Sequence, residues 1–452
     1  MKLKSALFRD EKILLIFATC LTSFVLTSLI LRHGVKACSD SWFYWAGSVN
    51  LVEHGRYTTM FGETITGWPP LFSIFLALFQ ASLSQTGWSL VVAMSVISVL
   101  IAGSWSIYVF QVFAPDESSP PAIALCGSLL FVALFTPLCC GEIFAHALLL
   151  FFLGLLFSAI ALMTHRTESW ISNQGALGLG SLLAMGMLTH NSTIIFSFSV
   201  ALTVLATARG TLPRRLVAAA GILFISLVPW LVVRYGLGQQ GSHSISSPRY
   251  TLLDYVGQVP REIGVYFISS SSILVQGIVG TIVLAATLIL WARPPSSTIP
   301  RGHRILLGLA LTILIGHFLL FNFVWIDSAL GGRFLWYFAY AITPILFYFA
   351  RDRKALLAIL LVMTVGVSGW RAGKLAWRAV VPPLALNVRE ESPDNIYCCY
   401  FLTSQENTIV PAGTVRVTAP LYHWQWVPEN MKDQLWKTPT VKLENASPEK
   451  VP

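Results

Sequence analysis

The stretch that decides the fold is the first hydrophobic run, ILLIFATCLTSFVLTSLIL at Ile13–Leu31, which contains no charged residue. A run of this length is sufficient to cross the hydrocarbon core of a bilayer as one helix. It is too long for the apolar part of a signal peptide, so we expect a retained first span. The chain then carries an acid in Cys38-Ser39-Asp40-Ser41-Trp42, which predicts a carboxylate at the membrane surface.

Composition extends this interpretation to the whole chain. Its 452 residues are 55% hydrophobic and only 11% charged, and the mean hydropathy is +0.68. Soluble domains carry roughly 25% charged residues. The composition therefore predicts a polytopic membrane protein. The net charge of +9 comes without a basic cluster interleaved with aromatic residues, which argues against nucleic-acid binding.

Hydrophobic windows predict an all-α membrane domain with about eleven transmembrane helices. The predicted spans are 13–31, 87–110, 121–138, 143–163, 173–189, 193–208, 216–233, 271–291, 305–324, 336–350 and 355–370. The apolar stretch 69–84 is short and opens with two prolines, so we expect it to lie at the interface within a first outer loop, 32–86. We expect one transmembrane catalytic domain, 1–370, and a small C-terminal segment, 371–452.

Lys and Arg predict the orientation. With the N-terminus in the cytoplasm, the inside segments hold about twice as many basic residues as the outer loops, as the positive-inside rule requires. This places Asp40 and the C-terminal segment on the outer face. In that segment, Pro382-Pro383 marks a boundary, and two short runs near Ile396–Leu402 and Val415–Ala419 are typical of β-strands.

The distribution of acids indicates where the chemistry takes place. Before the C-terminal segment, no Asp or Glu falls inside a predicted span, whereas an ion-coupled transporter usually places a carboxylate there. Asp40 and Glu142 occupy outer loops, and the loop around Glu142, Cys139-Cys140-Gly141, is very short. Each acid is either a functional carboxylate or a residue that stabilises a helix N-terminus.

Several motifs, in this order, resemble membrane glycosyltransferases of the GT-C superfamily. The resemblance is closest to the branch related to protein O-mannosyltransferases and aminoarabinose transferases, that is, glycosyltransferase family 39. Its motifs are Asp40 with Phe43-Tyr44-Trp45-Ala46 and His54-Gly55-Arg56-Tyr57, Trp68-Pro69-Pro70-Leu71, Glu142-Ile143-Phe144, Leu188-Thr189-His190, Pro229-Trp230 with Arg234-Tyr235, and Gly332-Arg333-Phe334 with Pro344. Three positions depart from the pattern: many relatives carry a second acid at Ser41 and a permanent cation at His190, and Tyr235-Gly236 stands where the family pattern has Asn-Tyr.

The resemblance implies transfer of a sugar from a polyprenyl-phosphate donor to an acceptor hydroxyl on the outer face. Asp40 is the candidate general base, because a neutral alcohol must lose its proton as it attacks. Arg333, Arg249 and Arg234 are candidates for the donor phosphate, whose oxygens suit a planar guanidinium. An interfacial or solvated cation is the alternative for each arginine.

Other residues are assigned supporting or alternative roles. Asp40 and Glu142 are candidate ligands of a divalent cation, Mg²⁺ or Mn²⁺, together with donor phosphate oxygens. Trp68, His54 and His190 are candidate supporting residues, although a lone histidine is more often structural. Cys38 could pair with Cys139 or Cys140 in an oxidising compartment, or these cysteines could be small buried residues.

Two other functions remain open at this point: a flippase or exporter of lipid-linked sugars, and a non-catalytic membrane scaffold. The sequence contains no visible internal repeat, which is unlike many transporters. The sugar is open, and the acceptor could be a lipid, a glycan or a protein. We expect a bacterial inner membrane rather than the endoplasmic reticulum, because the tail is short and carries no evident retention signal.

Overall fold

The structure is a computed structural model that describes residues 2–32, 35–37, 41–58, 64–65, 67–83, 88–114, 122–141, 143–166, 172–236, 252–270, 272–293, 300–323, 332–380, 400–402, 414–419, 422–428 and 442–444. Three predicted site residues lie outside these ranges, namely Asp40, Glu142 and Arg249.

Helices dominate the described residues. They are α1 (Lys2–Ile30), α2 (Ser41–His54), α3 (Leu71–Ser82), α4 (Trp88–Phe113), α5 (Ala122–Cys139), α6 (Ala145–Arg166), α7 (Asn173–Thr189), α8 (Thr193–Thr207), α9 (Leu212–Gly236), α10 (Leu252–Gly264), α11 (Ile273–Ala292), α12 (Arg301–Phe323), α13 (Trp336–Ala350), α14 (Lys354–Leu360) and α15 (Val367–Val380). A 3-10 turn, Gly332–Leu335, precedes α13, and a π-helical segment, Leu361–Gly366, joins α14 to α15.

Within the described residues, nine helical stretches are long and apolar enough to cross a membrane. They belong to α1, α4, α5, α6, α9, α11, α12, α13 and the continuous stretch from α14 to α15. The predicted all-α membrane architecture is therefore confirmed. The predicted spans 173–189 and 193–208 are helices α7 and α8, which are shorter, with 17 and 15 residues. The count of eleven spans and the orientation stay predictions.

The first loop contains two helices that pack on each other. Tyr44 of α2 meets Phe72 of α3 edge to face, with ring centroids 5.2 Å apart, and Ser73 Oγ donates to the Tyr44 carbonyl at 2.9 Å. Helix α3 begins directly after Pro69-Pro70, as the prolines predict, because proline is tolerated before and at the start of a helix. The predicted short apolar helix at 69–84 is thus present as α3.

An aromatic core joins α4, α5, α6 and α13. The rings of Trp105 and Tyr340 stack with centroids 4.8 Å apart, and Trp105 Nε1 donates to the Leu150 carbonyl at 3.0 Å. Tyr340 Oη and Thr136 Oγ1 lie 2.7 Å apart. Buried aromatic side chains with satisfied polar atoms combine large apolar contact with fixed geometry. This packing fixes the start of α13 beside the α5–α6 loop.

Short strands occur in the C-terminal segment. One covers the predicted run Val415–Ala419, and another covers the last three residues of the run Ile396–Leu402, whose first four lie outside the described residues. A sheet of order β4-β3-β5 consists of β3 (Thr414–Ala419), β4 (Tyr422–Pro428) and β5 (Lys442–Glu444). Strand β2 (Tyr400–Leu402) pairs antiparallel with β1 (Val35–Ala37), which ends three residues before Asp40. The C-terminal segment therefore reaches the loop that carries the predicted base.

We predict that the contact between α10 and α11 tolerates no side chain at two glycines. A Cβ on Gly264 would collide with the Gln276 carbonyl oxygen, and a Cβ on Gly280 with the Pro260 carbonyl oxygen. Backbone atoms cannot turn aside as a flexible side chain can, so Gly280→Ala should cost about 1–3 kcal/mol. The measurement is the thermal unfolding midpoint of the purified protein in detergent.

The matched control is Gly277→Ala on the same helix, since a Cβ there meets nothing within 4 Å. Equal midpoints for Gly280→Ala, Gly277→Ala and the wild type would contradict the close packing of α10 on α11.

Candidate functional site

Arg333 lies where the aromatic core meets the surface of the helix bundle. It belongs to the 3-10 turn before α13, and its guanidinium carbon lies 4.5 Å from the centroid of the Phe144 ring and 5.5 Å from that of Phe334. Cations within about 6 Å of an aromatic ring are attracted to its face. The two rings orient this half-buried guanidinium, whereas a freely snorkelling arginine would extend into the interface.

The α5–α6 loop adjoins Arg333. Phe144, whose ring lies under the Arg333 guanidinium, follows Glu142 by two residues. Cys140 and Ile143 of the same loop are fully buried. The Cys140 N–H donates to the Pro137 carbonyl at 3.3 Å, which tightens the end of α5. Glu142 lies outside the described residues, but Phe144, two residues after it, contacts Arg333.

Three buried histidines lie next to this arginine, on α6, α12 and the α7–α8 turn. The ring centroids of His146 and His190 are 4.0 Å apart, and His146 meets Phe334 edge to face at 4.7 Å. His317 stacks on Tyr337 with centroids 5.5 Å apart. A cavity of about 10 Å³, close to the minimum for one ordered water, lies among these side chains.

His190 is fixed as a neutral hydrogen-bond donor. Its Nδ1 accepts the Ser192 backbone N–H at 3.1 Å and lies 2.8 Å from Ser192 Oγ. A backbone N–H can only donate, so the proton of the neutral ring is on Nε2. Burial lowers the pKa of His190 to about 3, and the nearby Arg333 cation acts in the same direction. A neutral donor thus lies at the position where the sequence resemblance implies a permanent cation.

Two polar atoms at the cavity lack a hydrogen bond within the described residues. They are Nε2 of His146, which is 5% exposed, and the hydroxyl of Tyr337, which is 2% exposed. An unsatisfied buried donor or acceptor costs about 1–3 kcal/mol, so such atoms usually serve a bound water or ligand. Sequence analysis did not select these residues, although an ionisable residue such as His146 inside a predicted span is itself a functional signal.

The segment Gly67-Trp68-Pro69-Pro70, called here the Trp68 corner, is bound to the α7–α8 turn that carries His190. Trp68 stacks on Phe43 with ring centroids 3.7 Å apart, and the Tyr57 hydroxyl donates to the Trp68 carbonyl at 3.0 Å. Asn191 Nδ2 donates to the Gly67 carbonyl at 2.9 Å. Since Phe43 follows Asp40 by three residues, the corner anchors the start of α2 next to the predicted base.

Arg234 belongs to this network through a tryptophan. Trp230 Nε1 donates to Asn191 Oδ1 at 2.9 Å, and the Arg234 guanidinium carbon lies 5.0 Å from the centroid of the Trp230 ring. Although Asn191-Ser192-Thr193 matches a glycosylation sequon, both ends of the Asn191 amide are engaged inside the protein. The structure therefore links Arg234 to the His190 turn and to the Trp68 corner.

His54 occupies a different place. It ends α2, a helix of 14 residues that is about 20 Å long, so it lies far from the end that follows Asp40. Its Nε2 lies 3.8 Å from a Glu53 carboxylate oxygen. This geometry favours a local ion pair over a role beside His190.

The predicted metal and disulfide involve residues that are only partly described. Asp40 and Glu142 lie outside the described residues, and within those residues no group of three or more His, Cys, Asp or Glu is arranged to hold a metal ion. Cys139 and Cys140 are buried, and among the described residues both are free thiols; Cys38 lies outside those residues, so its pairing with either stays a prediction.

Comparisons with known proteins find likeness in structure only. No family model matches the chain, and no curated protein sequence matches it. One structural match is ArnT from Cupriavidus metallidurans in the apo state, at 14% identity and a TM-score of 0.45, covering 81% of this chain and 77% of that one. The same protein bound to undecaprenyl phosphate matches at 13% identity and 0.43, with the same coverage.

An Archaeoglobus fulgidus oligosaccharyltransferase, in complex with zinc and sulfate, matches at 16% identity and a TM-score of 0.44. The match covers 80% of this chain and 53% of that one, so the chain spans about half of the oligosaccharyltransferase. Every TM-score is below 0.5, so the argument for function rests on the residues of this chain.

We predict that Asn191 ties the Trp68 corner to Trp230 of α9, because the two ends of its amide bind the Gly67 carbonyl and the Trp230 indole N–H. Asn191→Asp keeps an acceptor for Trp230 but places a carboxylate oxygen against the Gly67 carbonyl oxygen. Loss of the donor and this repulsion should cost about 1–3 kcal/mol. The measurement is the shift of the unfolding midpoint, with a parallel reading of tryptophan fluorescence.

Asn173→Asp is the control, because Asn173 is exposed in the first turn of α7, where a negative charge is favourable. A midpoint for Asn191→Asp equal to that of the control would show that the Asn191 bridge contributes no stability.

Proposed function

We propose that this chain is an inverting membrane glycosyltransferase. It moves a sugar from a polyprenyl-phosphate donor to the hydroxyl of a lipid, glycan or protein acceptor on the outer face of the membrane. The observation that carries the proposal is the position of Arg333. Two rings orient its guanidinium at one end of the helix bundle, next to the loop of Glu142 and to buried polar atoms that have no hydrogen-bond partner among the described residues.

This end of the bundle supplies what a lipid phosphate requires. A guanidinium binds phosphate oxygens with two parallel hydrogen bonds, and partial burial strengthens such contacts. His190 adds an Nε2 proton as a neutral donor, and Tyr337 adds a hydroxyl without a partner among the described residues. A membrane end that carries a cation and spare donors favours an anionic oxygen ligand over a purely structural role.

The proposed reaction is a single displacement. The acceptor oxygen bonds to the anomeric carbon as the bond between that carbon and the phosphate oxygen breaks. Asp40 takes the hydroxyl proton, and the released polyprenyl phosphate keeps the electron pair of the broken bond. The leaving group is already an anion and needs no proton, so Arg333 stabilises the charge that develops on it.

Arg234 and Arg249 are further candidates for binding the donor phosphate. Arg234 lies over Trp230, whose indole N–H is bound to Asn191, so its guanidinium is oriented toward the same turn as His190. It is the second candidate for the donor phosphate. Arg249 stays a candidate from sequence alone, since it lies outside the described residues.

A divalent cation fits only the carboxylate pair of the proposal. Asp40 and Glu142 offer the oxygen ligands that Mg²⁺ and Mn²⁺ prefer, whereas the three histidines near Arg333 are buried next to that cation, which disfavours a metal ion there. Such an ion would neutralise charge on the donor phosphate. The proton transfer to Asp40 and the phosphate contact of Arg333 do not depend on it.

We predict that Asp40→Asn lowers transfer about 10²–10⁴-fold, the usual contribution of a positioned general base. The measurement is release of polyprenyl phosphate from a panel of polyprenyl-phosphate sugars by the purified protein, with membrane extract as the source of acceptors. Glu11→Gln is the control, because Glu11 is an exposed acid of α1 that the proposal does not use.

Wild-type release by Asp40→Asn would remove Asp40 as the base. Movement of the intact lipid-linked sugar across vesicles, without release by the wild type, would instead favour the flippase.

We predict that Arg333→Gln lowers kcat/KM about 10²–10³-fold, as loss of one preorganised charge contact does elsewhere. Arg333→Lys should recover part of this loss, because it restores the charge but not the planar fork that stacks on Phe144. The same release assay measures both variants.

Arg214→Gln is the charge-matched control, since Arg214 is exposed in the first turn of α9, at the opposite end of that helix from Arg234. A kcat/KM for Arg333→Gln equal to that of Arg214→Gln would show that Arg333 does not act on the donor.

A further inference from the structure

A second cavity lies at the opposite end of α13 from Arg333. It has a volume of about 590 Å³, within the roughly 300–1,000 Å³ typical of ligand sites. Helix α13 begins just after Arg333 and ends at Ala350, so Arg351 marks the other membrane face. The charge bias predicts that face to be cytoplasmic.

The walls of this cavity are apolar. They come from α11, α13, α14 and the π-helical segment, through side chains such as Ile282, Val283, Leu346, Ile359 and Met363. Burial of each methylene group in such walls contributes about 0.8 kcal/mol. The cavity therefore suits a hydrocarbon chain, and a free phosphate ion would leave these walls uncovered.

The mouth of the cavity is basic. Arg293, Arg351 and Arg353 line it together with a single acid, Asp352, which leaves a net positive charge. The Arg351 guanidinium carbon lies 3.9 Å from the centroid of the Tyr348 ring, and its Nε lies 3.4 Å from Asp352 Oδ2. The ring holds the guanidinium at the mouth, and Asp352, whose side chain is 83% exposed, faces water.

The π-helical segment adds an independent sign of function. Leu361–Gly366 forms the turn between α14 and α15, and its Met363 lines the cavity. π-Helical turns are rare and occur frequently at functional sites. The π-helical segment therefore forms part of the cavity wall, directly after the end of α14.

We propose that this cavity binds an anionic phospholipid of the adjacent leaflet. One acyl chain occupies the apolar space, and the headgroup phosphate contacts Arg293, Arg351 and Arg353. Basic pockets between membrane helices bind anionic headgroups in this manner. The occupant is not the sugar donor, because the donor phosphate is assigned to Arg333 at the other end of α13. This exclusion of the donor rests on the proposed function, whereas the apolar walls and the basic mouth of the cavity do not.

The test measures binding of phosphatidylglycerol and phosphatidylcholine to the purified full-length protein by native mass spectrometry. We expect phosphatidylglycerol to bind at least about tenfold more tightly, and the double variant Arg293→Gln, Arg353→Gln to lose about tenfold of that affinity. The double variant Arg214→Gln, Lys354→Gln is the charge-matched control. Both of its positions are exposed, and neither lines the cavity.

A second pair of variants tests the apolar part without a change of charge. Ala286→Phe places a ring in the cavity and should abolish binding, whereas Ala285→Phe, on an exposed neighbouring position of α11, should leave it unchanged. Equal affinity for the two lipids would overturn the proposal, as would equal losses in the two charge variants or full binding by Ala286→Phe. Displacement of phosphatidylglycerol by stoichiometric polyprenyl phosphate would assign the cavity to the donor carrier instead.

Discussion

The packing of α13 against α4 and α5 is the constraint on which the candidate site depends. Tyr340 stacks on Trp105 and shares a hydrogen bond with Thr136, so α13 has a fixed depth and rotation relative to α5. The start of α13 then presents Arg333, and the end of α5 leads into the loop before Phe144. One buried aromatic contact thus sets the relation between the candidate phosphate ligand and the loop of Glu142.

The sequence predicts the parts of the site that local patterns encode. Prolines after Trp68 predict a corner followed by a helix, and α3 begins there. Arg333 precedes the apolar run 336–350, so the sequence places it at the membrane interface, and in the structure it lies in the turn before α13. In both cases residues close in the chain determine the geometry.

Contacts between distant residues were not predicted. His146 and His317 lie inside hydrophobic windows, where a single polar residue barely changes the mean, and only packing brings their rings to the turn of His190. The pairing of β1 with β2 likewise joins residues more than 350 positions apart, since Ala37 faces Tyr400. The pattern of residues within either strand does not reveal which distant strand it pairs with, or in which register.

The neutral His190 and the neighbouring cation of Arg333 divide two roles between them at the candidate site. A neutral imidazole that donates from Nε2 can orient a ligand oxygen, but it leaves charge neutralisation to the neighbouring arginine. The most direct test of the account is the anomeric configuration of the product relative to the donor, determined by NMR. One base and no covalent intermediate predict inversion, and retention would contradict the assignment of Asp40 as the sole base.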